Sequence, residues 1–476
     1  MRRNLVVASA IVIVLLLAGA IYIEGPSLVK SSSSNGPTAS VSVSAGLSTS
    51  AETAASSSGA AGAGDWTTYH ANNDRTGYMP VSNFTSVANG WTSPTLDGWV
   101  FAEPLVYGGD VFVATENNSV YALSAQDGSV VWRQNLGPPV LGSLLPCGNI
   151  EPVTGITGTP VIDPSTGMLY VVAFSDMHHI MYALDVASGA VVFHESASPP
   201  GLNDTTQQQR TALTLANSMV YFGYGGLAGD CGLYRGWVVG LPANGTGNMA
   251  YYRLPSLNGG GIWAPSGFAV DQAGNLYVAT GNSASTTNYD FGEAVIKLSP
   301  TLTLEQYFAP ADWAILNQDD TDIDSLGSAI IGPNLIFQIG KAGVGFLLNT
   351  TQLGGIGGQS FEADVCDEAF GGTAFANSTV FVPCINGLFE LKVANASFFS
   401  TALVVGGFNA GPPIVTGGVV WSVDDNSAIL YGISATTGHQ DYSFSLGSVE
   451  HFTTPSAGDG QIFVAAANKV MSFVLG

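Results

Sequence analysis

"VYALSAQDGSVVW", Val120 to Trp132, sets an apolar strand before a polar turn that ends on glycine, then a second strand that closes on an aromatic. The pattern returns as "MYALDVASGAVVF" from Met181 to Phe193 and as "LYGISATTGHQDY" from Leu430 to Tyr442. Glycine at this place supplies φ > 0 for the turn. The terminal aromatic is expected to pack between neighbouring repeats, which makes Trp132 a core residue. Matching strands start near Tyr121, Tyr182, Val238, Val295, Phe346, Leu388, Tyr431 and Val470, at a spacing of roughly 40–60 residues. Repeats of this length, made of short strands and tight turns, predict an all-β chain. Its expected form is a single eight-bladed β-propeller of four-stranded antiparallel blades.

Blade starts fall near Glu103, Thr157, Thr211, Ala264, Ser328, Gly372, Pro412 and Thr454. The last unit stops at Gly476 without its outer strand, whereas Asp65 to Val100 holds strand-like pieces left over. The N-terminal segment is therefore expected to complete the final blade and hide its edge. A propeller gathers its loops around one channel, so the search for function narrows to those loops.

Not all of the 476 residues belong to the propeller. Residues 1–24 contain an apolar run, Leu5 to Ile23, behind Arg2 and Arg3, and are expected to be a signal peptide or a membrane-anchoring helix. Ala18-Gly19-Ala20 offers a cleavage site. Residues 25–64, rich in Ser, Ala, Gly and Thr, cannot offset their ordering entropy and are expected to form a disordered linker. The propeller then spans 65–476. The whole reads as an exported chain, extracellular or at the cell surface, touching membrane only through its first residues.

Charge is scarce, at 10% of residues against about 25% in an average soluble protein. Bases are scarcest, with 12 Lys plus Arg against 35 Asp plus Glu. The acidic balance argues against nucleic acid as a partner. In strong acid only the bases stay charged, so a base-poor chain avoids self-repulsion, which hints at an acidic habitat. Four cysteines in an exported chain predict disulfides, with three pairings open. Cys366–Cys384 and Cys147–Cys231 are preferred, because each pair would clip a long loop onto a neighbouring strand.

The x-Y-A-L-D-x-x-[ST]-G-x-x-x-W/F repeat resembles that of pyrroloquinoline-quinone (PQQ) dehydrogenases and their non-catalytic relatives, over essentially the whole folded region. The resemblance is closest in "GGGIWAPSGFAVDQAGNLYVATGNS", Gly259 to Ser283. It implies Trp263 as the floor under a flat quinone and Asn282 as a calcium ligand. "NQDDTDIDSLG", Asn317 to Gly327, resembles the family's stretch carrying the catalytic base, with Asp320 or Asp322 the best match. "FQIGKAGVGFLLN", Phe337 to Asn349, resembles the segment whose lysine reaches the quinone oxygen, which gives Lys341 that role. "GDCGLYRGWVVGL", Gly229 to Leu241, is similar to the segment with an acidic calcium ligand. There the family's Glu falls at or beside Cys231, and Asp230 only approximates it. The family's ring of adjacent cysteines is missing too. Asp322 completes the expected metal set, and Arg235 is an anion or cofactor contact or a structural ion pair.

No Ser/His/Asp, zinc or nucleotide-binding motif occurs, and no haem attachment motif. Three readings remain for a small-molecule substrate. One is an oxidoreductase using PQQ and calcium on an alcohol-like donor, passing electrons to a separate acceptor. The second is a cofactor-free hydrolase resembling the tetrathionate hydrolases of acidophiles. The third is a non-enzymatic surface scaffold.

Overall fold

The computed structural model describes residues 64–476. The expected leader and nearly all of the expected linker lie outside the described residues. Within 64–476, eight four-stranded antiparallel blades follow one another in chain order. Their innermost strands begin at Leu105, Val161, Thr214, Ala269, Ala329, Ala374, Ile414 and Ser456, close to the starts read from the repeat. The motif strands are third in each blade. None of the described helices is long and apolar enough to cross a membrane.

Closure follows the expected route. The eighth blade contributes Ser456–Gly458, Gln461–Ala466 and Lys469–Leu475, and its outer strand is Val87–Thr92. Val87 pairs with Leu475 and Thr92 with Met471, antiparallel. Burial tracks position in the blade. Second strands such as Val419–Asp424 are buried throughout because neighbouring blades cover both faces. Outer strands such as Val130–Asn135 and Gln440–Ser445 leave alternate side chains in solvent.

The repeat's glycine has a second duty besides its turn. Trp132 donates from Nε1 to the carbonyl of Val186 at 2.9 Å. Its ring fills the space above Gly189, where an added Cβ would lie 2.5 Å away. Trp91 sits likewise over Gly128 and donates to Ala125 O at 2.8 Å, and Phe193 covers Gly245. Each aromatic thus locks its blade onto the turn of the next, as expected for Trp132. Two disulfides are present, Cys147–Cys231 and Cys366–Cys384.

A feature absent from the sequence reading is the path of residues 66–79. Trp66 exchanges two main-chain hydrogen bonds with Val106 in the first blade, at 2.7 and 2.9 Å. Thr67 O then accepts from Ile162, Asn73 O from Val270, Asp74 O from Ile330, Thr76 O from Phe375 and Gly77 O from Val415. Asn73 Nδ2 donates to Leu215 O. The segment therefore bonds to the inner strands of the first seven blades in turn, which carries it across the ring as a plug. Arg75, 1% exposed, lies within it. Its guanidinium donates to Phe268 O, Thr68 Oγ1, Tyr69 O and Thr214 Oγ1. Fully bonded, this buried cation holds the plug to the third and fourth blades.

Candidate active site

Register between inner and second strands identifies equivalent positions around the opposite end of the channel. Phe112, Tyr277, Phe337 and Trp421 pair with Leu105, Ala269, Ala329 and Ile414. Four residues further, just past the ends of these strands, stand Glu116, Gly281, Lys341 and Asp425. Lys341 is thus placed on the mouth by strand geometry, and the loops entering each blade converge on the same layer.

The acidic stretch splits into distinct environments. Trp313–Asp319 forms a short helix, and Asp320 caps it in the left-handed region at φ 55°, exposed. Asp322 and Asp324 turn inward, 5% and 0% exposed. Lys341 Nζ forms an ion pair with Asp322 Oδ2, stands 3.5 Å from Asp320 Oδ2, and donates to Asp320 O at 3.2 Å. Its own N–H donates to Asp322 O at 2.9 Å. Asp322 Oδ1 accepts from the Asn282 N–H at 2.9 Å, and Asp320 Oδ1 accepts from Asn282 Nδ2 at 2.8 Å. Asp324 Oδ2 accepts from the Trp263 N–H at 2.7 Å. Trp263, Asn282, Asp320, Asp322 and Lys341 accordingly form one connected wall.

Trp263 rests on a bed of glycine. Added Cβ atoms on Gly225, Gly261 and Gly281 would stand 2.3, 2.4 and 2.3 Å from its ring. The one on Gly281 would also meet Asp324 Oδ1 and Asp322 Oδ1, at 2.7 and 2.8 Å. No side chain can replace these glycines without displacing the indole. Its Nε1 donates to Gly226 O at 2.9 Å, and the ring is partly exposed.

Two groups join the site that motif reading did not select. Glu293, fully buried, accepts from the Ile323 N–H through Oε2 at 2.7 Å. Arg210 donates from Nε to Trp263 O at 3.1 Å. Burial, then the charge of Asp322, pushes Glu293 well above the usual carboxylate range, and the same causes act on Asp324. Asp322 is raised by burial, against the pull of Lys341. For Lys341 burial pulls downward, but the Asp322 charge and hydrogen bond outweigh it and the ammonium is held more firmly. The site thus offers a carboxylate paired with an ammonium beside two carboxyl groups whose burial favours the protonated form, an acid–base arrangement.

The expected metal ligands are not gathered together. Asp230 is exposed and accepts the Tyr234 hydroxyl at 2.6 Å. Both oxygens of Asp322 are engaged. Of the three expected ligands only Asn282 keeps a buried oxygen without a donor, its Oδ1, and in the same site Asp324 Oδ1 and Glu293 Oε1 are also buried without one. Among the described residues no group of three or more His, Cys, Asp or Glu side chains is placed to hold a metal. Calcium takes six to eight oxygens, so the donor set does not fit it as arranged, whereas the indole platform does fit a planar ring. Arg235 makes no ion pair among the described residues. Its carbonyl accepts from Gln207 Nε2 at 3.0 Å.

Comparison with known proteins agrees with the fold. A PQQ-repeat family model described as "Outer membrane protein assembly factor BamB" (PQQ_2) matches residues 83–245. No curated protein sequence matches the chain. The structure is similar to a quinohemoprotein alcohol dehydrogenase from Comamonas testosteroni, at TM-score 0.65 and 16% identity over 87% of this chain and 80% of that one. It is similar to a europium-containing methanol dehydrogenase, at 0.66 and 14% identity over 87% and 98%. BamB from Moraxella catarrhalis also matches, at 0.55 and 12% identity over 83% and 98%. The described residues therefore form an eight-bladed β-propeller, of which residues 83–245 match the PQQ-repeat model.

Proposed function

We propose that the chain is a cofactor-independent hydrolase of a small sulfur oxyanion, similar in kind to the tetrathionate hydrolases. The observation carrying this reading is the state of Asp322. Both of its oxygens are used, one by Asn282 N–H and one by the Lys341 ammonium, which leaves an acid–base pair where a calcium ion would need free ligands. In this reading Asp322 takes a proton from the attacking water, whose oxygen bonds to one sulfur as an S–S bond breaks and thiosulfate departs, and Lys341 offsets the negative charge that develops. Protonated Asp324 or Glu293 supplies a proton to the leaving sulfur. Two disulfides suit an oxidising, exported setting.

A second reading rests on Trp263. The glycine-bedded indole and the unbonded Asn282 Oδ1 favour a quinone with its metal, as in a PQQ-dependent dehydrogenase acting on an alcohol-like donor and passing electrons to a separate acceptor. Trp263 would carry the ring, Asn282 would supply one metal oxygen, and the group itself would accept electrons.

The two are separated by dialysing the protein against a chelator, then titrating it with PQQ and calcium while following tryptophan fluorescence. A parallel sample is assayed for thiosulfate release from tetrathionate in acid. Cleavage without cofactor and no quenching are expected. Saturable quenching with alcohol oxidation would replace the first reading by the second. Failure of both would leave a surface scaffold.

A further inference from the structure

The strongest unexplained group on the molecule is the Arg210 guanidinium. Only nine of the chain's Lys and Arg residues fall within 64–476, and most have a clear task. Arg75 is bonded on every side of the plug, Arg133 pairs with Asp97, and Arg253 lies over Trp237 on an outer strand. Arg210 is different. Its Nε is spent on Trp263 O, and its carbon end lies 5.2 Å from the Phe452 ring centre. Nη1 and Nη2 have no acceptor among the described residues, and no carboxylate lies within ion-pair distance. Neither nitrogen is sealed from solvent.

Its position is set by the same register that places Lys341. Arg210 precedes the inner strand Thr214–Ala216 at the step where Phe101, Pro265 and Phe452 precede theirs. It belongs to the ring of side chains around the channel axis. Three of its neighbours there are apolar. His451 and Phe452 line a small cavity with it, about 20 Å³ in volume, room for a water molecule but not for a substrate. A ligand must therefore reach the guanidinium from the open mouth, past Trp263. The charged groups facing it are Asp322 and Asp324, whose attraction it feels without contact.

The two free nitrogens open onto the channel and keep their donors available to an anion. The guanidinium is fixed by Trp263 O and presents the planar fork that matches two oxygens of a carboxylate, sulfonate or phosphate. We infer that Arg210 is the residue that binds the anionic end of the substrate, which must therefore be a small oxyanion held beside Trp263. This rests on the reading of the site as one for a small oxyanion, and deepens it by naming a specificity residue.

The test is sulfate binding to the intact propeller by calorimetry, with uncharged dimethyl sulfone as control ligand. Wild type is expected to bind sulfate and not the sulfone. Arg210→Gln should weaken sulfate binding about tenfold or more, Arg210→Lys should restore part of it, and Arg253→Gln should leave it unchanged. Should Arg210→Gln fold poorly, Arg210→Lys takes its place in the calorimetry and is expected to bind sulfate more weakly than wild type. Equal sulfate affinity in wild type and Arg210→Gln, or no specific sulfate effect on wild type, overturns the inference. Sulfate binding lost in Arg210→Gln with no tetrathionate cleavage by wild type would uphold it while rejecting hydrolysis.

Discussion

Lys341 and Glu116 occupy equivalent positions in the fifth and first blades, each four residues beyond the second-strand residue that pairs with the inner strand, Phe337 with Ala329 and Phe112 with Leu105. The fifth blade carries the ammonium with Asp322. The first carries a buried carboxyl whose Oε2 accepts the Gly155 N–H at 2.6 Å and whose Oε1 has no donor. Asp425, at the same position in the seventh blade, accepts the Phe452 N–H and likewise keeps one oxygen unbonded. These acids tie incoming loops to the blade beside them.

Stability should accordingly be greatest in acid. Burial lifts Glu116 from 4.5 to about 7 and Asp425 from 3.8 to about 7. The folded state therefore binds more protons than the unfolded state between those values. Their contribution is complete below the unfolded values and lost as pH rises through 7, roughly 3 kcal/mol for Glu116. Asp204 and Asp271 are lowered, so their contribution fades in strong acid. The melting temperature is expected to be higher at about pH 4 than at about pH 8, with a shallower slope in Glu116→Gln. A steady rise in stability towards pH 8 would contradict this.

The Lys341–Asp322 pair predicts non-additive mutational effects. Lys341→Ala alone leaves a buried carboxylate without its cation. With Lys341 a quarter exposed, the cost should be roughly 1–3 kcal/mol after allowance for solvent screening. Asp322→Asn combined with Lys341→Ala removes both charges and should recover most of that loss, while activity stays lost. Urea unfolding of the two variants measures the coupling, and a double variant no more stable than Lys341→Ala would mean that the pair is not the source.

The plug and the closing strand predict where trimming becomes damaging. Removing residues before Gly64 takes away none of the bonds described here. Removing residues through Thr92 also deletes Trp66–Gly77 and the outer strand of the eighth blade, and should abolish cooperative unfolding. Arg75→Met leaves buried acceptors unfilled and should cost about 3 kcal/mol or more. Circular dichroism melts of the three chains provide the check.

Reduction should weaken the propeller unevenly. Cys366–Cys384 encloses a separation of 18 residues and Cys147–Cys231 one of 84. Chain-entropy estimates give about 3 and about 4.5 kcal/mol. Cys147→Ser with Cys231→Ser should lower the urea midpoint more than the other double replacement does.

Much of this architecture is written in local chemistry. The glycine that ends the turn also receives a large side chain of the preceding blade, an aromatic at Gly128, Gly189 and Gly245 and Leu403 at Gly438, so one short pattern encodes both turn and packing. The missing outer strand at Gly476 shows where the ring must close. The plug carries no motif, because most of its bonds to the blades are main-chain and its buried Arg75 stands alone in the sequence. Trp263, Asn282, Asp322 and Lys341 stood out because a short motif surrounds each. Arg210 and Glu293 did not, since Arg210 ends the polar run "QQQR" and Glu293 simply precedes an apolar strand. Scarcity of bases was the available clue to Arg210. Which of four clustered aspartates turn inward depends on the helix Trp313–Asp319, and only coordinates show that.

The central claim is that Asp322, paired with Lys341, performs acid–base chemistry without a bound cofactor. The most direct measurement is thiosulfate release from tetrathionate in acid by chelator-dialysed wild type and Asp322→Asn. The account predicts turnover by the wild type and a loss of about a hundredfold or more in the variant, measured at a temperature where both proteins are folded. Equal rates in the two proteins, or a wild type that stays inert until PQQ and calcium are supplied, would contradict it.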